Sequence, residues 1–288
     1  MKVFVIGASG LVGGNTMRIF RENGCDVKGS FFTYKTEDCV FYDTLDLDNT
    51  DNFDLIGWRP DVIVHCGALT HVDYCEENKE ESYQKTVQST MNVINLAKQC
   101  GAKLVYLSTD YVFDGKNGPY QENDALNPIN VYGKHKMIAE NSVTGYDKSL
   151  VLRITNVYGD EERGKNFISR IIQQCKEGKQ LTLKLPIDQY ANPTNAYDIS
   201  RAMYLLVKDG HSGIFNIGGT DYMNRVSLAL RVLKYFPDAV YHLLPTQTTE
   251  LNQAANRPLL GGFISKKFHQ LYPDFLFTTV DDYMKTQL

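Results

Sequence analysis

At 288 residues, 43% of them apolar, the chain can bury a sizeable core, either as one large α/β domain or as a dinucleotide-sized domain with a smaller lobe. Thirty basic against thirty-four acidic residues leave a net charge of −4, which lacks the electrostatic footprint of a nucleic-acid binder and offers no block of like charge for an anionic membrane. With no run of about eighteen apolar residues and no basic leader with a cleavage site, the expectation is a cytoplasmic protein that does not touch a membrane.

In chain order, short apolar runs alternate with helical patterns, the signature of repeated βαβ units around a parallel sheet. Strands are predicted at 2–7 (KVFVIG), 25–32 (CDVKGSFF), 61–67 (DVIVHCG), 103–110 (KLVYLSTD) and 149–155 (SLVLRIT). Between them, 80–100 reads as a long amphipathic helix stopped by Gly101, and 132–143 as another. Past Thr155 the alternation loosens into a helix at 166–177, a strand LTLKL, a helix at 196–208, a strand GIFNIG and then irregular Tyr/Pro-rich sequence. The fold class expected is α/β, a Rossmann-type doubly wound parallel sheet with a smaller α/β substrate-binding lobe. The sheet domain would take 1–155 and 190–219, and the lobe 156–189 and 220–288. The six cysteines and six histidines show no CxxC, HExxH or other paired-ligand spacing, so no metal is expected.

The first strand runs into GASGLVG, placing Gly7, Gly10 and Gly13 in a strand–turn–helix context. Such a turn needs glycines because it is tight and its backbone must approach a pyrophosphate, which the N–H groups opening the helix (Leu11, Val12) then receive. An NAD-specific site places an acid about twenty residues on, yet the second strand ends in Phe32, Thr33, Tyr34 and Lys35. With no carboxylate there to repel a 2′-phosphate, Thr33 as donor and Lys35 as point charge favour NADPH, with NADH left open. Asp46 and Leu47 are candidates for the adenine edge.

In the fourth-strand stretch, Tyr132 and Lys136 stand four apart on a predicted helix and share one face. A carbonyl that accepts hydride becomes an alkoxide and needs a proton. A phenol of ordinary pKa about 10 still holds one at neutral pH, and a neighbouring ammonium stabilises the phenolate left behind. Thr109 or Ser108, at the strand end, would hydrogen-bond the same oxygen.

GASGLVG, STDYVFDG, VYGKHK and RITNVYG together resemble the extended short-chain dehydrogenase/reductases, in particular the dTDP-4-dehydrorhamnose reductases, over nearly the whole chain. The resemblance implies Thr109, Tyr132 and Lys136 as the catalytic trio and Cys66, Gly67 and Ala68 as further cofactor contacts. THVDYCEE resembles that family's TxVDxxE segment, which puts Thr70, Val72 and Asp73 beside the sugar, and Ser108, Asp110, Tyr111, Asn156 and, in NRPLLGG, Arg257 are implied as further substrate contacts. DQYANPTNAYD resembles its DQ…PT…D segment. Two positions depart from the pattern: Asn156 stands where the family places a tryptophan, and the turn reads GLVG rather than GQxG.

The activity implied is NADPH-dependent reduction of a nucleotide-activated 4-keto-6-deoxy sugar, with hydride to C4 and Tyr132 as proton donor; a homodimer is compatible with it. A dehydratase of the same fold would carry Glu where Tyr111 stands. A sugar-nucleotide epimerase stays open. So does a non-catalytic, dinucleotide-binding regulatory subunit resembling that of methionine adenosyltransferase, which shares VIVHCGA and SxDYVFDG.

Overall fold

A computed structural model describes residues 1–47 and 53–288. The chain begins as β1 (Lys2–Ile6), α1 (Leu11–Glu22), β2 (Asp26–Phe31) and β3 (Cys39–Phe41), then α2 (Leu55–Trp58) and β4 (Val62–His65). Next come α3 (Val72–Glu77), α4 (Lys79–Tyr83), a π-helical turn at Gln84–Gln88 and α5 (Ser89–Cys100). The helix expected over 80–100 therefore exists but is interrupted, and Gly101 closes it at φ +67° as its stop signal required. Then follow β5 (Lys103–Thr109), a 3-10 turn at Asp110–Val112, α6 (Val131–Thr144) and β6 (Ser149–Ile154).

The remainder alternates between two bodies: β7 (Val157–Tyr158), α7 (Phe167–Lys176), β8 (Leu181–Pro186), β9 (Tyr190–Ala191), β10 (Thr194–Asn195), α8 (Ala196–Lys208) and β11 (Gly213–Ile217). It ends with β12 (Met223–Asn224), α9 (Arg225–Leu233), β13 (Tyr241–Thr246), α10 (Lys266–Leu271) and α11 (Val280–Thr286).

Seven strands form one sheet in the order β11-β6-β5-β4-β1-β2-β3, every neighbour parallel. Alternate residues divide its faces. Val3, Val5, Val62, Val64, Val105 and Leu107 pack on one side under α1 and α8, whereas Phe4, Ile6, Ile63, Leu104 and Tyr106 pack on the other under α5 and α6. Burial on both faces is why these strands read as unbroken apolar runs. The chain winds outward from β1 to β3 and then crosses back to β4, so a crevice opens at the carboxyl ends of β1 and β4, the switch point where such sheets bind ligands.

A second core joins α7, β8, α9 and α11 through Ile168, Ile171, Leu181, Leu228, Val232, Val280 and Met284. The final segment serves both bodies, because Phe268, Phe275 and Phe277 pack into the sheet's core beside Leu206 and Phe215. No helix of the described residues is long and apolar enough to cross a membrane.

Candidate active site at the switch point

The carboxyl ends of β1, β4, β5 and β6 open into a cavity of about 900 Å³ that the second body covers with Asn156, Arg163 and Arg225. Its floor at the amino end is the glycine turn. Gly7 has φ +78°, and a Cβ on Gly13 would lie 2.3 Å from the Gly7 carbonyl oxygen, so helix and turn approach each other as only glycine allows. Gly10 caps α1 without a side chain, leaving the N–H groups of the first helical turn facing the cavity. This cradle fits a dinucleotide's pyrophosphate. Ser30, buried at the end of β2, accepts a hydrogen bond from the Gly7 amide at 3.3 Å and holds the turn against the sheet.

Helix α6 carries Tyr132 and Lys136. Asn130 caps it, accepting from Gly133 N at 2.8 Å, while its amide donates to Asn256 O at 2.8 Å. Tyr132, Lys136 and Glu140 then recur along one face toward β5 and β6. Tyr132 is 9% exposed and meets Tyr111 edge-on with ring centroids 5.5 Å apart. Burial pushes its phenol well above the usual tyrosine range, against a downward pull from hydrogen bonding to Thr109. Lys136 is 3% exposed and donates to Leu107 O at 2.5 Å, its ammonium 4.1 Å from the centre of the Tyr106 ring. Burial lowers its pKa to about 7, with Glu140 the main opposing influence. Glu140 is itself pinned, since Arg153 from β6 donates to it at 2.6, 3.1 and 3.2 Å in a pair that water does not reach.

Of the residues expected from sequence, the cavity is lined by Gly7, Gly10, Leu11, Val12, Gly13, Thr33, Cys66, Gly67, Ala68, Thr70, Val72, Ser108, Thr109, Asp110, Tyr111, Tyr132, Lys136 and Asn156. Lys35, Asp46, Leu47, Asp73 and Arg257 stand outside that lining. Lys35 and Asp46 are exposed, and Leu47 packs against the core under α5, so the lining there is Tyr42 to Leu45 instead. Asp73 accepts from Ala255 N at 3.1 Å and from Arg257 Nη2 at 2.6 Å, so the two segments singled out by resemblance clasp each other at the rim. Asp110 faces inward, but its carboxylate accepts from Thr155 Oγ1 at 2.6 Å, Gly262 N at 3.1 Å and Thr109 Oγ1 at 3.3 Å; burial raises its pKa all the same.

Among the cations of the lining, Lys85, Arg163, Lys165 and Arg225 carried no sequence signal as site residues. Arg225 opens α9 and donates to Asn156 Oδ1, holding that residue at φ +43°. A polar clasp thus occupies the position where the resemblance called for an indole wall. The side chains of Arg225 and Asn156 are 69 positions apart, and no local pattern links them.

With the cleft, its glycine cradle and the Tyr–Lys helix placed, comparison with known proteins becomes decisive: a family model described as the RmlD substrate binding domain matches residues 1–274. The chain belongs to that family. Among RmlD-like solved structures, the dTDP-4-dehydrorhamnose reductase of Bacillus anthracis in complex with NADP superposes with a TM-score of 0.84 at 25% identity, covering 99% of this chain and 97% of that one. Curated relatives of this RmlD-family chain include methionine adenosyltransferase 2 subunit beta of Danio rerio, 30% identical over 265 residues (89% of this chain, 80% of the relative). The probable low-salt glycan biosynthesis reductase Agl14 of Haloferax volcanii is 28% identical over 266 residues (90% of this chain, 88% of the relative). The fold is that of the extended short-chain dehydrogenase/reductases.

Proposed function

We propose that the protein is an NADPH-dependent reductase of a nucleotide-activated 4-keto-6-deoxy sugar. The observation that carries the reading is Tyr132 with Lys136 one helical turn behind it, beside Thr109, at the inner wall of a cleft whose opposite end is a pyrophosphate cradle. The glycine turn and Lys136 would hold a dinucleotide, whose reduced nicotinamide would supply hydride to the substrate's C4. Tyr132, kept protonated by burial, gives its proton to the oxygen as negative charge grows there. Thr109, which lines the cleft beside Tyr132, orients that oxygen. Lys136 stabilises the resulting phenolate, and its buried ammonium acts more strongly than it would in water. Arg225 places a positive charge on the substrate side, suited to the diphosphate of a sugar nucleotide. The NADP in the Bacillus reductase and the reductase name of the Haloferax relative support this reading.

The test is to incubate the purified protein with NADPH and a panel of nucleotide-linked 4-keto sugars while following the absorbance of the reduced nicotinamide. Substrate-dependent loss of absorbance is expected; none with any sugar, despite cofactor binding, would refute the activity. A second reading is favoured by the Danio relative: a dinucleotide-binding subunit that partners a methionine adenosyltransferase. Complex formation with such an enzyme, without NADPH oxidation, would establish it.

A further inference from the structure

The geometry points to Arg163 as the side chain that reads the cofactor's 2′-phosphate, reaching it from the second body rather than from the end of β2; the assignment rests on the NADPH reading above. Five cations line the cavity: Lys85, Lys136, Arg163, Lys165 and Arg225. Three are engaged: Lys85 with Glu81 at 2.5 Å, Lys136 with Leu107 O, and Arg225 with Asn156 Oδ1. Arg163 is not. Its Nε is buried without a hydrogen-bond partner, and no carboxylate of the described residues stands within ion-pair distance of it.

Its position is specific. The guanidinium lies 5.3 Å above the ring of Tyr34, and Thr33, the neighbour of Tyr34, faces into the cavity, whereas Lys35 does not. The end of the second strand is where an adenosine ribose is read in this architecture. The three carboxylates of the lining form no ion pair with Arg163 and accept from other donors: Asp43 from Leu45 N at 2.8 Å, Glu161 from Asn166 N at 2.5 Å, and Asp110 from Thr155 Oγ1 and Gly262 N. The loop is anchored next to Arg163, where Asp160 O accepts from the buried Asn15 of α1 at 3.0 Å and Asp160 Oδ1 from Tyr283 at 2.9 Å. A planar, always-charged fork, stacked on an aromatic ring and lacking an acceptor, matches a phosphate monoester better than a flexible ammonium does.

The experiment is fluorescence titration of NADPH, NADH and 2′,5′-ADP into the wild type, Arg163→Ala and Arg163→Lys, with thermal melts to confirm folding. Arg163→Ala is expected to weaken NADPH and 2′,5′-ADP by about ten- to a hundred-fold and NADH by less than about three-fold, and Arg163→Lys to fall between wild type and Arg163→Ala. An equal loss for NADPH and NADH would overturn the assignment, because the arginine would then serve the pyrophosphate or the fold. Unchanged NADPH affinity would also overturn it. A wild type that binds neither dinucleotide would sink the NADPH reading itself, a result distinct from both.

Discussion

Removing the Glu140 carboxylate tests how helix α6 is held. In Glu140→Ala, the Arg153 guanidinium, 2% exposed, loses three contacts of 2.6–3.2 Å and keeps only Glu122 O at 3.0 Å and the face of Phe113 at 5.1 Å. Stranding a buried charge costs about 3–5 kcal/mol. For a chain near this size each kcal/mol moves the melting midpoint by roughly 2–4 °C, so the expected drop is about 6–20 °C, read by calorimetry at pH 7. Replacing both partners by apolar residues of similar volume (Glu140→Leu with Arg153→Met) should recover most of the loss, because no charge is then stranded. A midpoint within about 2 °C of wild type for Glu140→Ala would refute the reasoning, since it would mean that water or another acceptor reaches Arg153. The milder Glu140→Gln removes the charge that supports Lys136, so the alkaline limb of the pH profile should move to lower pH.

Tyr132→Phe should lower turnover by about 10²–10⁴-fold while leaving the NADPH dissociation constant within about three-fold, checked by steady-state kinetics and titration. With Lys136 at about 7, kcat/KM for reduction should fall as pH rises through that value, because the ammonium is lost; a flat profile from pH 6 to 9 would contradict its role. The stability contribution of Lys136 has the opposite sign. Its folded pKa lies below the ordinary lysine value of about 10.5, so the unfolded chain holds more protons between about 7 and 10.5, and folding stability from this group rises with pH across that window. Gly13→Ala would force a methyl to 2.3 Å from Gly7 O; opening the turn costs about 1–3 kcal/mol, measurable as weaker dinucleotide binding and a lower melting midpoint.

How much could be read in advance depended on the range of the interaction. The central strands announced themselves because both faces are buried, and Tyr132–Lys136 because a helix brings i and i+4 together. By contrast, β3 is three half-buried residues at the sheet edge, and β13 is largely exposed and carries Pro245, so neither showed a strand pattern. After β3 the cavity is lined by Tyr42 to Leu45 rather than by Asp46 and Leu47, because loop register after a short edge strand has no periodicity to fix it. The pairings made by cations from the second body were invisible for a different reason. Arg163 meets Tyr34 across 129 positions, and Asp73 meets Arg257 across 184, distances at which only the folded chain shows a pair.

The three phenylalanines near the carboxyl terminus that fill the sheet's core have a consequence for biosynthesis. A ribosome emitting this polypeptide delivers the nucleotide-binding half first, yet one of its faces stays unsealed until residues 268–277 have left the exit tunnel. Grafting a foreign specificity module onto this scaffold at a single junction would therefore strip that late plug, so any working chimera must return the tail to its seat.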